Sequence, residues 1–379
     1  MGSNTSSVAT TRLDHIRLNL AAVRQRVGDR LVLAAVKANA YGHGAVAVSR
    51  MIEATGAADW LGVAHVSEGL DLRRAGVRLP ILKLSVARGD EVGQAIASGI
   101  TLTVTDEASI LEAGHSATAL GEVAEIHLKL DTGMGRIGRR PDAAPRLAAL
   151  AAKTAGVRLS GVFSHLPVAD MPSQDRFTAD QQRLFGEAAN LVEAAVGPVI
   201  KHLANSAGVL AHPGSWFDMV RPGIMIYGAY PDPACPHTVA LEPGMEWTTT
   251  VSFIKRVRPG ETVGYGRTWT ATEETRVATI PVGYGDGYSR RLSNRGRVLI
   301  NNRSYPIVGR VCMDQSMINL GPTTNVAVGD PVILLGRSSS DRITTDDLAE
   351  LMETIPYEVT CLLTPRVVRE SIEVPGEGA

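Results

Sequence analysis

Lys37 stands at the carboxyl end of an apolar run, LVLAAV at 31–36, directly before a turn-rich stretch that holds Asn39, Tyr41, Gly42, His43 and Gly44. A basic residue is out of place there. Held partly desolvated, its amine gives up its proton more readily and can form a Schiff base with an aldehyde. The same side chain at a strand end can also simply snorkel to water, and this stretch alone does not separate the two readings. Gly42 and Gly44 permit close backbone approach to a ligand, and the apolar pattern resumes as a helix from Ala45.

A reactive lysine at a strand end needs a scaffold. Short apolar runs near 31–36, 60–66, 79–84, 101–104, 125–130, 157–164, 199–204 and 218–227 alternate with helical patterns such as VSEGLDLRRAG and FTADQQRLFGEAANLVEAAV. Alternation of this kind over about two hundred residues predicts an α/β fold of the (β/α)8 TIM-barrel type. A GxGxxG fingerprint is missing after the first strand, which weakens the open doubly wound alternative. Beyond the proline-rich crossing at 231–244, the runs become β-rich and are punctuated by Gly, Pro, Asn and Asp at hairpin spacing, with one helical segment near 344–355. The expected organisation is therefore a barrel over 11–239 and a mostly-β C-terminal domain over 240–379.

In a TIM barrel the carboxyl ends of the strands carry the chemistry. Lys37, His65, Ser85, Lys129 with Asp131, His165, Asn205 with Ser206, and Arg221 all fall at such ends. Emergence into solvent accounts for His65 and Ser85 without any role. The loops after the seventh and eighth strands are the recurrent phosphate site of the fold, so Ser206 and the backbone amides near Gly223 and Ile224 predict a phosphate cup on the rim that holds Lys37. A lysine beside a phosphate cup suits a phosphorylated aldehyde, and it also describes a class of aldolase. Arg221, so close to these loops, could bind phosphate itself.

Composition narrows the partners. The 379 residues carry 38 basic and 39 acidic side chains, a formal net charge of -1, which leaves no electrostatic footprint for nucleic acid or an anionic membrane. The three cysteines, Cys235, Cys312 and Cys361, are odd in number, far apart and outside any CxxC pattern. That points to a reducing compartment, the cytoplasm, and argues against a zinc site. No apolar run reaches the length of a membrane span. The first ten residues lack the regions of a secretory signal and read as a flexible tail. Gly2 with Ser6 fits the formal myristoylation pattern, although so short a pattern is matched by chance. EVPGEGA at the other end reads as a frayed tail.

The segment AVKANAYGHG, 35–44, resembles the pyridoxal phosphate attachment motif of the alanine racemase family, and the resemblance runs from about residue 11 to residue 370. It implies a pyridoxal 5′-phosphate enzyme that interconverts L- and D-alanine and supplies D-alanine for peptidoglycan. Lys37 would carry the cofactor and Tyr41 and Tyr357 would contact its phosphate, with Tyr357 narrowing the pocket beside the substrate side chain. Arg221 would bond to the pyridine nitrogen and, staying protonated, keep that nitrogen neutral. A ring held neutral is a poorer electron sink, which discourages decarboxylation and transamination.

In KLDTGMGRIG, 129–138, the resemblance places Arg136 near the cofactor's phenolic oxygen and the substrate carboxylate, with Lys129 carbamylated, or replaced in that duty by an anion such as chloride, to hold it. His165 matches a histidine that bonds toward the catalytic base and Arg221; without the resemblance it reads as a core histidine. Racemisation needs a base on each face of the planar carbanion. Lys37 serves one face, and Tyr265 in VGYGRTW matches the other base, which in the family crosses from the partner subunit. That implies a homodimer with shared active sites. A free tyrosine ionises near about pH 10, so His165 and Arg221 would have to ease its deprotonation.

Tyr284, Met313 and Asp314 resemble residues that line substrate access and contact the carboxylate, and read alone they are ordinary hairpin residues. The segments FSHLPVAD, 163–170, and LLTPRVVR, 362–369, depart from the usual family pattern, which bears on the outer substrate passage and the side-chain pocket. Serine or broader specificity is one alternative. A barrel-type amino-acid decarboxylase is another, but it calls for an acid where Arg221 stands. A non-catalytic cofactor carrier would have no use for the β domain.

Overall fold

The computed structural model describes residues 7–373. Gly2 and Ser6 lie outside the described residues, as does all but the first residue of the expected C-terminal tail. The described chain forms two compact units. One comprises Arg17–Ala40 and Ala45–Glu242; the other takes the chain up to Ile16, the short piece Tyr41–Gly44, and the chain from Pro243 onward.

Strand β1, Ser7–Arg12, opens the chain. Residues 7–10 had the composition of a tail, and this is corrected: they belong to a central strand of the β unit. SVATTR alternates buried and half-exposed positions, Ala9 is wholly buried, and the strand pairs with neighbours on both sides. Threonine and valine suit such a pleated position. The barrel unit runs from Arg17 to Glu242, apart from Tyr41–Gly44.

The barrel closes from β2 (Leu31–Ala35), β3 (Trp60–Val63), β4 (Ile81–Val86), β5 (Ile100–Val104), β6 (Ala124–Lys129), β7 (Val157–Phe163), β8 (Ile200–His202) and β9 (Met219–Val220), all parallel, with β9 returning to β2. Crossover helices cover it. Helix Asp175–Val196 shows why they form: Thr178, Gln181, Phe185, Ala188, Ala189 and Val192 make one buried stripe, and Gly197 ends the helix at φ 87°. Helix Glu107–Leu120 is opened by Asp106, whose side chain accepts from the Ser109 amide, and closed by Gly121 in the left-handed region.

The last strand is shorter than the run at 218–227 suggests. Pro222 carries no N–H to give a ladder, and Gly223 turns the chain, so Ile224–Tyr227 becomes a short 3-10 helix instead. Inside the barrel, Leu33, Leu82 and Met219 pack with Trp60, Leu84 and Ile200. Two histidines, His127 and His202, share that interior at 0% exposure.

The β unit is a seven-stranded sheet in the order β16-β15-β18-β10-β1-β20, with β19 beside β18, plus a three-stranded sheet β11-β14-β17 and the hairpin β12-β13. Here β10 is Met245–Thr250, β11 Phe253–Val257, β12 Thr262–Val263, β13 Trp269–Thr270, β14 Thr275–Ile280, β15 Arg297–Ile300, β16 Arg303–Pro306, β17 Ser316–Gly321, β18 Pro331–Arg337, β19 Arg342–Ile343 and β20 Val368–Ile372. Its core gathers Trp247, Tyr288, Leu299, Ile318 and Leu334. Helix Thr345–Met352 occupies the expected helical segment, with the Thr344 side chain accepting from the Asp347 amide. Among the described residues no helix is long and apolar enough to cross a membrane.

Candidate active site

Lys37 lies two residues past the end of β2 and is half-buried. The strand is fixed where it ends: the Tyr227 hydroxyl donates to the Ala35 carbonyl at 2.8 Å, the Ala35 amide to Pro222, and the Val36 amide to Gly62. Then the backbone reverses hand. Ala38, Asn39, Ala40 and Tyr41 all have φ between 51° and 55°, and none of them is glycine. A left-handed conformation costs about 1–2 kcal/mol for each such alanine, so neighbouring bonds must hold it. Ala40 donates to the Val36 carbonyl at 2.8 Å, Ala45 to Asn39 Oδ1 at 2.9 Å, and Ala38 to Glu68 Oε1 at 2.7 Å. Within the β unit, a methyl group at Gly42 would collide with the Thr360 carbonyl.

Arg221 is 6% exposed at the end of β9. Its guanidinium donates to the Ser164 carbonyl at 2.7 Å, to the Leu203 carbonyl at 3.1 Å and to His202 Nδ1 at 3.0 Å, and it lies 3.4 Å from His165 Nδ1. Burial pulls its pKa down to about 9, which leaves it charged at neutral pH. The charge fixes tautomers behind it. His202 accepts on Nδ1, so its proton is on Nε2 and is donated to His127 Nδ1 at 2.9 Å. His127 must then carry its own proton on Nε2, a buried atom with no hydrogen-bond partner among the described residues.

These histidines are held neutral. Burial, with the Arg221 charge second, depresses His127 to about 3, and burial likewise pulls His202 well below its ordinary value. Between pH 6.5 and about 3 the unfolded chain binds a proton at His127 that the folded chain refuses. Stability is therefore intact above pH 6.5 and falls as pH drops, by up to about 1.4 kcal/mol per unit for such a histidine. Urea unfolding followed from neutral pH down to about pH 5 should show a progressively lower midpoint; a midpoint that does not move would contradict neutral burial.

Lys129 ends β6 and is 3% exposed, with Nζ 4.3 Å from the centre of the Phe163 ring. Burial, then the charges of Arg221 and Arg136, push its pKa well down, while Asp131 opposes. Asp131 also shapes the following loop by accepting from the amides of Gly133 and Gly135, and Arg136 emerges from that loop exposed. His165 feels the whole group. Its pKa is lowered well below the usual value by burial first and then by Lys129, Arg221, Arg136 and Lys37. The loop bearing His165 is seated from behind, where Gln181 Nε2 donates to the His165 carbonyl and to Thr132, which bonds the Ser164 hydroxyl at 2.8 Å.

The Ser206 hydroxyl is buried and accepts from the amides of Gly223 at 2.9 Å and Met225 at 3.4 Å. Ile224 lies between those two in the same turn. The predicted rim residues Lys37, Lys129, Arg136, His165, Ser206, Arg221, Gly223 and Ile224 thus all belong to the barrel unit.

The remaining predicted residues belong to the β unit. Tyr41 is 8% exposed, burial raises its pKa, and its ring centre lies 6.0 Å from that of Tyr357. Tyr265 is 72% exposed between Gly264 and Gly266, both at positive φ. Tyr284 and Met313 are 42% and 52% exposed, and their loops are joined by bonds from the Tyr284 amide to Cys312 and from the Gly285 amide to Met313. Asp314 pairs with Arg366 at 2.8 Å, and Arg366 also reaches Asp286 at 3.2 Å.

Arg366, His202, His127, Gln181 and Glu68 escaped the sequence reading. His202 had a signal, since it lies four positions before Ser206 in HLANSAG, 202–208. Glu68 had a weaker one, an acid three residues after the strand-end His65 and so at a capping-box spacing.

Comparison with known proteins places this geometry. Residues 11–231 match the family described as "Alanine racemase, N-terminal domain", and residues 244–371 match "Alanine racemase, C-terminal domain". The alanine racemase of Cutibacterium acnes is 50% identical over 96% of this chain and 97% of its own length. The structure of alanine racemase from D-cycloserine-producing Streptomyces lavendulae superposes with a TM-score of 0.93 at 34% identity, covering 99% of both chains. A histidine racemase from Leuconostoc mesenteroides is also similar, with a TM-score of 0.90 at 28% identity over 98% of this chain and 99% of that one.

Proposed function

The chain belongs to the alanine racemase family, and on that premise we propose that it interconverts L- and D-alanine with pyridoxal 5′-phosphate carried on Lys37, using Lys37 and Tyr265 of the partner subunit as the two bases. The observation that carries the reading is the grouping of four basic side chains, Lys37, Lys129, Arg136 and Arg221, near enough to His165 to act on its ring. So concentrated a positive field on one rim suits a phosphate and a substrate carboxylate held side by side.

The residues fit the cofactor. Ser206, whose oxygen accepts from the Gly223 and Met225 amides, keeps its O–H to donate to a phosphate, Ile224 lies between those amides in the same turn, and the Tyr41–Tyr357 pair in the β unit would add phenolic groups. When bound, the cofactor would withdraw electrons from the substrate α-carbon and so make its proton acidic enough to remove. Arg221, charged and clamped by two carbonyls, would hold a ring nitrogen without giving up its proton. Arg136 steers the substrate carboxylate. Lys129, with its pKa depressed, gives up its proton more readily to become the amine that takes up carbon dioxide, and either that carbamate or a bound anion would offset the crowding of Arg136.

Lys37 moves the proton on one face. Tyr265 of the partner subunit serves the other, beside His165, whose Nδ1 faces Arg221 and whose Nε2–H is then free to be offered to a phenolate. Support for a homodimer lies in the β unit, where Tyr265, Tyr284 and Met313 are large apolar side chains left exposed. A histidine racemase has a similar fold, so side-chain selectivity is not set by the fold alone; in this reading it falls to Tyr357 and its surroundings.

Proton NMR in deuterium oxide tests the proposal. With pyridoxal 5′-phosphate added, the purified protein should absorb visible light and exchange the α-proton of both alanine enantiomers, faster than those of serine or histidine. A protein that stays colourless and exchanges none of them would overturn it.

A further inference from the structure

Glu68 lies on the third turn position of helix Val66–Arg74, the crossover that follows β3, and is half-buried. Its Oε2 accepts from the Ala64 amide at 2.7 Å and the His65 amide at 3.1 Å, which is ordinary closure of a helix start. Its Oε1 does something capping does not require. It accepts from the Ala38 amide, 30 residues back in the chain, at 2.7 Å. Ala38 is both the residue after Lys37 and the first residue of the left-handed run.

From this we infer that Glu68 is a positioning residue for Lys37: its carboxylate holds the left-handed turn that aims the lysine. Alanines at φ 51° and 55° do not keep that hand unaided. The Asn39 side chain secures the far side of the turn through the Ala45 amide, and the Ala40 amide closes it onto Val36. Glu68 secures the near side, next to the lysine, and ties the end of β2 to the end of β3. An anion suits the task, because three N–H groups converge on two oxygens with no acceptor among them. The helix amino terminus favours the charge further. Glutamine cannot replace it: with one end of the amide bonded as an acceptor, the other presents N–H to N–H.

This inference rests on the reading of Lys37 as the cofactor lysine. Its test is the rate at which cofactor-free protein captures pyridoxal 5′-phosphate, followed by absorbance and by borohydride trapping on Lys37, together with α-proton exchange from each alanine enantiomer. Glu68→Gln is expected to slow capture about tenfold and to depress exchange from D-alanine, the Lys37 face, well beyond exchange from L-alanine. The double variant Glu68→Gln with Ala38→Gly should recover much of the capture rate, since glycine takes the left-handed conformation without a Cβ clash.

A purely structural Glu68 would give equal losses on both faces and no rescue by glycine, and either result overturns the inference. If Glu68→Gln fails to fold, Glu68→Asp, which withdraws the same carboxylate by one methylene, is measured in its place with the same expectations. Wild-type protein that captures no cofactor defeats the proposed function itself. Wild-type capture matched by the variant defeats only the role of Glu68.

Discussion

Tyr265→Phe is expected to cut α-proton exchange from L-alanine by about a hundredfold to ten-thousandfold, the range that a positioned general base contributes, while exchange from D-alanine stays within about tenfold. The substitution removes one oxygen from a side chain that is 72% exposed, so the β unit loses no core packing and the fold should not change. Lys37 lies in the barrel unit and keeps its surroundings: the Ala35 carbonyl held by Tyr227, the left-handed turn, and Arg221 with its charge. One face of the substrate therefore loses its base and the other does not. NMR exchange rates measured separately for the two enantiomers decide it, and equal losses from both would remove Tyr265 from the role of a dedicated base.

The barrel was legible because its strands are short apolar runs that end in polar residues, and that grammar survives in one sequence. β1 was not legible. SVATTR is six residues near a terminus, and what makes it a central strand is its pairing with Met245–Thr250 and Val368–Ile372, segments hundreds of residues away. The last strand was overread because the apolar residues Ile224, Met225 and Ile226 look the same to hydropathy in a strand and in a 3-10 turn; Pro222 and Gly223 decide between them.

Within the site, residue types marked Lys37, Arg221 and Ser206 as candidates, since a lysine, an arginine and a hydroxyl fall together on the strand ends of one barrel. The residues that hold them left at most a faint trace. The backbone of 38–41 turns left-handed on alanines, asparagine and tyrosine, a conformation that sequence would assign to the nearby glycines. Glu68 reads as one more acid on an amphipathic helix until the Ala38 amide is seen against it. His127 and His202 read as isolated strand residues, and only the closed barrel brings their rings within 2.9 Å and stacks His202 on Phe163.

The central claim is that each active site draws Lys37 from one chain and Tyr265 from another. The two residues fall in different compact units of the fold, which makes the sharing separable by mutation. A chain carrying Lys37→Ala still has its Tyr265, and a chain carrying Tyr265→Phe still has its Lys37. Each variant alone forms only defective sites. When the two are co-refolded in equal amounts, half of the dimers formed by random pairing are mixed, and each mixed dimer holds one site with both bases and one with neither.

The measurement is racemase activity of that mixture against each parent. The shared site predicts recovery to about a quarter of the wild-type rate per chain, the fraction of sites that random pairing makes whole in a two-fold symmetric dimer. Activity no higher than that of the parents, in a mixture shown by mass spectrometry to contain mixed dimers, would contradict a tyrosine contributed across the interface.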